Sequence, residues 1–273
     1  MSTVEIIEDM PIGEYHALPR LSNSGIGSLF KSPAHFKARK WGEPSKAMRI
    51  GSAVHTLVLE PHLAASMLPV APEVNKRTKA GRAAWEAWTA GVSPQATLLD
   101  ATERAVADKA AHAIRSHEEI QATGLLFGKV EHSILFEIEG CPAKARFDVF
   151  NKASIIVDLK TSRDASEFEK SVANFGYHTQ AAFYTMAAHA AGWEPKAFLF
   201  VVVETSDEMM NSGDPSQFVR VVQLDDQAVL QGEKDVLRAA KLYRECLESG
   251  VWPGYSRGID TLHLPIWAID LED

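Results

Sequence analysis

"AKARFDVFNKASIIVDLKTS", residues 143 to 162, decides the fold. In its first half Ala145, Phe147 and Val149 alternate with Arg146 and Asp148. In its second half Ile155, Val157 and Leu159 alternate with Ile156, Asp158 and Lys160. Successive side chains of a strand point to opposite faces, so each half has an apolar side and a side bearing charge. A charge beside a core must be paired or bound to a metal, because desolvating it is costly. With Lys152, Ala153 and Ser154 as the loop, Asn151 pairs with Ile155 and Asp148 falls opposite Asp158. Directly opposed residues have Cβ atoms roughly 4.5–5.5 Å apart. Carboxylates that close repel, and one stays protonated unless a cation sits between them. The pattern therefore predicts a hairpin that gathers two aspartates around a hard divalent ion such as Mg²⁺. The same register sets Arg146 opposite Lys160. A turn cap at Asp148 and a rim salt bridge between Asp158 and Lys160 make a competing account, and the hairpin alone does not remove it.

Working outward, "EHSILFEIEG" supplies a strand before the hairpin and completes an antiparallel meander. "YHTQAAFYTMAAHAAG" reads as a helix stopping at Gly192, "AFLFVVVE" as a strand covered on both faces, and "FVRVVQL" as a further strand. A helix is expected from Asp225 to Ser249. Upstream the chain reads as helical. Ser22 or Ser24 is an N-cap, Pro33 opens a short helix, and "AMRIGSAVHTLVLEP" carries apolar residues at helical spacing up to Pro61. "NKRTKAGRAAWEAWTAG" reads as a basic loop entering a helix, and "TERAVADKAAHAIRSHEEIQATG" as one long exposed helix ending near Gly124. The expected fold class is α/β, a central mixed sheet flanked by helices. One domain, 1–273, is expected, with a mainly helical part (1–125), a sheet-bearing core (126–225) and a C-terminal helix and tail (226–273).

The 273 residues are 46% hydrophobic and 23% charged, an ordinary globular balance. A net charge of −8 leans against nucleic acid, yet cations concentrate at Lys37, Arg39, Lys40, Lys46 and Arg49, and again at Lys76, Arg77, Lys79 and Arg82. Solvated helix faces explain these clusters as well as a phosphate partner does. No apolar run suits a membrane span, and the acidic N-terminus lacks the apolar core of a secretory leader. Cys141 and Cys246 cannot build a disulfide framework, most zinc sites or a four-cysteine iron–sulfur cluster, and they point to a reducing, cytoplasmic setting. The phosphate-binding signature of ATP-driven enzymes is absent.

An Asp, a hairpin and then Asp/Glu-x-Lys resembles the core of the PD-(D/E)xK nuclease superfamily, whose fold is like that of restriction endonucleases. "YHALPRLSNSGIGSLFKSPAHFKA", "MRIGSAVHTLVLEP", "KRTKAGRAAW" and "KARFDVFNKASIIVDLKTSRDASEFEKSVANFGYHTQAAFY" resemble, in that order, the branch typified by exonuclease VIII (RecE) and related prophage exonucleases. The likeness covers about residues 15 to 205. The second acid is Asp158 where many relatives carry Glu, a shorter arm that shifts the ion.

The resemblance implies an Mg²⁺-dependent exonuclease, with Mn²⁺ able to substitute, acting on ends of linear double-stranded DNA. It further implies 5′-to-3′ polarity, a single-strand annealing protein as partner and a ring-shaped homo-oligomer. An endonuclease or repair nuclease of the same fold, or a catalytically silent DNA-binding protein, are the alternatives. Asp148 and Asp158 are the expected metal ligands, with the Leu159 carbonyl as a third oxygen. Lys160 would orient the attacking water and stabilise charge, or act as a base if its pKa is depressed. His55, at the margin of an apolar helical stripe, reads alone as a satisfied core histidine or a ligand; the resemblance favours the ligand. Glu131 is a further acidic ligand by family position. Gln180 and Tyr184, four apart on one helix face, either stiffen a core or serve the site. Thr161, Ser162, Arg146, Lys76, Arg77, Lys79 and Arg82 are the expected DNA contacts.

Overall fold

The computed structural model describes residues 4–40, 42–256 and 258–265. Six strands form its sheet: β1 (Glu5–Ile7), β2 (Gly128–Ile138), β3 (Cys141–Asn151), β4 (Ile155–Ser162), β5 (Ala197–Glu204) and β6 (Val219–Gln223). They lie in sequence order, and every pair is antiparallel except β4 with β5. The expected fold class and the meander are found. β1 was not foreseen: a three-residue edge strand carries too short an alternation to read.

The β3–β4 turn has the expected register, Val149 facing Val157 and Phe150 facing Ile156. Asn151 fixes it, because its Oδ1 accepts from the backbone N–H of both Ala153 and Ile155 at 2.9 Å. Ser154 takes a left-handed φ of 65° to close the loop. Past Val157 the two strands part, and the Leu159 N–H donates to the Asp148 carboxylate (2.7 Å).

Among the described residues eight α-helices precede the meander: α1 (Ile12–Ala17), α2 (Asn23–Lys31), α3 (Pro33–Ala38), α4 (Lys46–Leu59), α5 (Ala64–Met67), α6 (Lys79–Thr89), α7 (Ala101–Ser116) and α8 (Glu118–Thr123). α9 (Phe168–Phe175) and α10 (Tyr177–Ala190) make the crossover from β4 to β5, α11 (Asp207–Asn211) precedes β6, and α12 (Asp226–Ser249) follows it. Their starts obey capping chemistry. Ser45 caps α4, Asp225 caps α12, and Asp100 with Glu103 forms a reciprocal capping box on α7. The single helix expected over 102–124 is two, and it is not an exposed one. His117 is extended between α7 and α8, which turns Ile120 and Leu125 inward, while Ala107, Ala110, Ala111 and Ile114 bury one face of α7.

The sheet has a core on each face. α2, α10 and α12 pack on one, around Phe136, Phe147, Phe183, Phe200 and Val236; α4 and α7 cover the other, around Val54, Leu57, Ile114, Leu159 and Val201. On β4, Ile156 belongs to the first core and Val157 and Leu159 to the second, as alternation requires. β3 departs from it. Phe147 enters the first core and Val149 the second, so the alternation expected through Ala145, Phe147 and Val149 breaks at Asp148. Its partner position on β2 is Glu131, a non-glycine residue at φ 53°. β2 makes the same change around that left-handed residue, Val130 packing on the second core and Ile134 in the first.

Among the described residues no helix is long and apolar enough to cross a membrane. Of the expected C-terminal tail, 251–265 runs without helix or strand where described, and 266–273 lie outside the described residues.

Candidate active site

Where β3 and β4 separate, a cleft opens that is walled by α4 and by the segment 9–24. β3 contributes Asp148, β2 Glu131 and α4 His55. Their ligand atoms all lie within 4.8 Å of one another. Gly51, one turn before His55, lets α4 sit close to β4; a Cβ there would stand 3.3 Å from the Thr161 hydroxyl.

The His55 ring is oriented by hydrogen bonding. Nε2 is 3.0 Å from the Leu159 carbonyl oxygen, which can only accept, so Nε2 carries the proton. Nδ1 then turns a lone pair toward Asp148 Oδ2, 3.5 Å away. Two acceptors face each other, and a proton or a metal ion between them resolves the conflict. A neutral imidazole whose far nitrogen donates to a backbone carbonyl is the usual arrangement of a metal-ligating histidine. The Leu159 carbonyl, expected as a ligand, accepts from His55 and so orients the ring, with its second lone pair left over. One imidazole nitrogen with carboxylate oxygens suits a divalent metal ion.

Asp148 is 9% exposed, and burial pushes its carboxyl well above the usual carboxylate range; the neighbouring Asp158 and Glu131 charges add to this, and His55 opposes it. Glu131 is held by Arg146 (Nε to Oε2, 2.5 Å), whose Nη1 also donates to the Met10 carbonyl at 2.6 Å. Arg146, expected against DNA, is thus committed within the protein.

Asp158 is 2% exposed and stands outside the His55–Glu131–Asp148 set. Its Oδ1 accepts from Gln180 Nε2 at 2.6 Å, and its Oδ2 is paired with the Lys160 ammonium. At Asp158 the neighbouring cation in the structure is the Lys160 ammonium. Burial alone would lower the Lys160 pKa, but Asp158 and Asp148 outweigh it and the net shift is upward. Lys160 is thus held as the charged partner of Asp158. Tyr184, one turn beyond Gln180, packs edge-on against Phe147 with centroids 5.2 Å apart and lines the cleft; burial raises its pKa.

The remaining expected contacts fall elsewhere. The Ser162 hydroxyl donates to the Asp164 carbonyl at 2.7 Å, a loop bond, while Thr161 faces α4. Lys76, Arg77, Lys79 and Arg82 are exposed around the start of α6 and do not line the cleft, with the Lys76 ammonium 3.0 Å from the Trp85 ring centroid.

Residue patterns missed the wall formed by 9–24. Lys144, 4% exposed, donates to the carbonyls of Tyr15 (2.5 Å), His16 (3.3 Å) and Leu18 (2.8 Å), and the Tyr15 hydroxyl donates to the Lys144 carbonyl at 3.2 Å. The residue types hid it: Lys144, Arg146 and Asp148 alternate on one strand, a pattern that water alone would satisfy.

No curated protein matches the chain in sequence. A crystal structure of a candidate exonuclease from Eubacterium rectale shares its fold, with a TM-score of 0.62 at 16% identity over 95% of this chain and 97% of that one. A phage-related exonuclease from Haemophilus somnus 129PT covers 88% of this chain and 100% of its own at 16% identity, but its TM-score of 0.39 is too low to speak for the fold. The model of the PDDEXK-like domain of unknown function (DUF3799) matches residues 22–265, and the chain belongs to that family.

Proposed function

We propose that this chain is a divalent-cation-dependent deoxyribonuclease that degrades linear double-stranded DNA from its ends. Mg²⁺ is the proposed ion, with Mn²⁺ able to replace it. The observation that carries the reading is the His55–Glu131–Asp148 set lying beside a buried Asp158–Lys160 pair. When bound, the ion polarises the scissile phosphodiester and lowers the pKa of a water. Asp148 and Glu131 would hold it by carboxylate oxygens and His55 by Nδ1, with the Leu159 carbonyl fixing the imidazole. Lys160 places its ammonium where negative charge develops in the transition state. Asp158 and Gln180 keep that lysine in place, and Tyr184 borders the substrate. The exposed cations at Lys76, Arg77, Lys79 and Arg82 draw the phosphate backbone toward the protein.

The 5′-to-3′ direction, the single-strand annealing partner, the ring of identical subunits and the cytoplasmic setting are proposed on the resemblance to phage-type recombination exonucleases. The test compares end-labelled linear duplex with covalently closed circles, in Mg²⁺, Mn²⁺ or chelator. Linear DNA should be lost in either metal, circles should persist, and chelator should stop the reaction. Circles lost as fast as linear DNA would make this an endonuclease. Persistence of both in metal would leave a DNA-binding protein.

A further inference from the structure

Asp158 fixes the Lys160 ammonium from one side only. On the other the ammonium lies 4.8 Å from the ring centroid of Tyr177 and 5.8 Å from that of Phe200. Tyr177 is the first residue of α10, and Gly176 before it ends α9 in the left-handed conformation, φ 67°. A residue with a Cβ is strained there, so glycine is what allows one helix to end and the next to begin at once. The turn brings the ring at 177 back toward β4. The ring is itself clamped, with Phe168 and Phe200 centroids each 5.6 Å away and Phe175 at 5.8 Å. Among the described residues the Tyr177 hydroxyl has no hydrogen-bond partner, whereas an aromatic face attracts an ammonium directly.

We propose that Tyr177 is a positioning residue of the reaction: its ring, with Phe200 behind it, holds the Lys160 ammonium against Asp158. A lysine head group on a four-carbon stem otherwise samples many rotamers. Bracketed between a carboxylate and two aromatic rings, it meets the phosphate from one direction. This inference rests on the role assigned to Lys160 above.

The test uses the full chain with Tyr177→Phe, Tyr177→Leu, Lys160→Met and the Leu–Met double substitution. Steady-state rates on linear duplex in Mg²⁺ are read with duplex binding in chelator. Tyr177→Phe keeps the ring and should stay within about twofold of the parent; Tyr177→Leu should lose roughly tenfold in kcat, with KM and binding unchanged. In the Lys160→Met background Tyr177→Leu should cost nothing further. Three results overturn the proposal: an undiminished Tyr177→Leu, a Tyr177→Phe that falls as far, or an equal loss in both backgrounds. If Tyr177→Leu fails to fold, Tyr177→Met takes its place with the same expectations. Full turnover by Lys160→Met is a separate outcome, which removes the lysine's role itself and Tyr177's with it.

Discussion

Gln180 and Lys160 between them occupy both oxygens of Asp158, which at 2% exposure has little water to replace either. Gln180→Leu keeps the volume and strips the donor from Oδ1. It should cost about 1–3 kcal/mol in urea denaturation, the penalty of an unsatisfied buried acceptor, and slow turnover by loosening Lys160. Lys144 gives a prediction in pH. Burial, then the nearby Arg39 charge, lowers its pKa from 10.5 to about 8. Folding therefore favours its neutral form. Between pH 8 and 10.5 the unfolded chain binds the proton and the folded chain releases it, so stability rises with pH across that window. The three carbonyls around the ammonium work the other way and keep the gain below ~3 kcal/mol. Denaturation of the parent against Lys144→Met should show the difference moving in the parent's favour from pH 8 upward. At this scale the sequence exposes Asp148, Asp158 and Lys160 and their register, because strand alternation and loop length are arithmetic. It hides the reversal at Glu131, since nothing in the residue type announces a positive φ, and with it the convergence of Glu131, Asp148 and His55.

Among elements, α10 and α12 pack backbone to backbone. At Gly232 a Cβ would lie 2.2 Å from the His178 carbonyl oxygen and 3.1 Å from the Ala182 Cβ. Gly232→Ala should lower the urea midpoint by the equivalent of about 1–3 kcal/mol without changing the slope, because the backbones must move apart. The helices were legible from their caps and stops, Ser45, Pro61, Asp225 and Gly192 among them, and the strands of the meander from alternation. The break at His117 was not, because it answers to tertiary packing: Ile120 and Leu125 are buried only if the helix turns there. β1 was lost for a related reason, its pairing to β2 being set more than a hundred residues away.

For the whole molecule, a metal that binds only the folded chain must stabilise it. Mg²⁺ at a hundred times its Kd should add about 2.7 kcal/mol, read as a rise in Tm. Asp148→Asn should abolish that rise, whereas Lys160→Met should retain it, separating ion capture from turnover. The wall of the cleft carries a last consequence. Tyr15 and Lys144 are 129 positions apart, Met10 and Arg146 136, and Glu8 and His132 124. During synthesis the earliest residues must therefore wait for a hairpin made more than a hundred residues later before they have anything to rest on. The nascent protein holds no finished cleft until that hairpin has emerged, so a chain released before it lacks Asp148, Asp158 and Lys160 altogether.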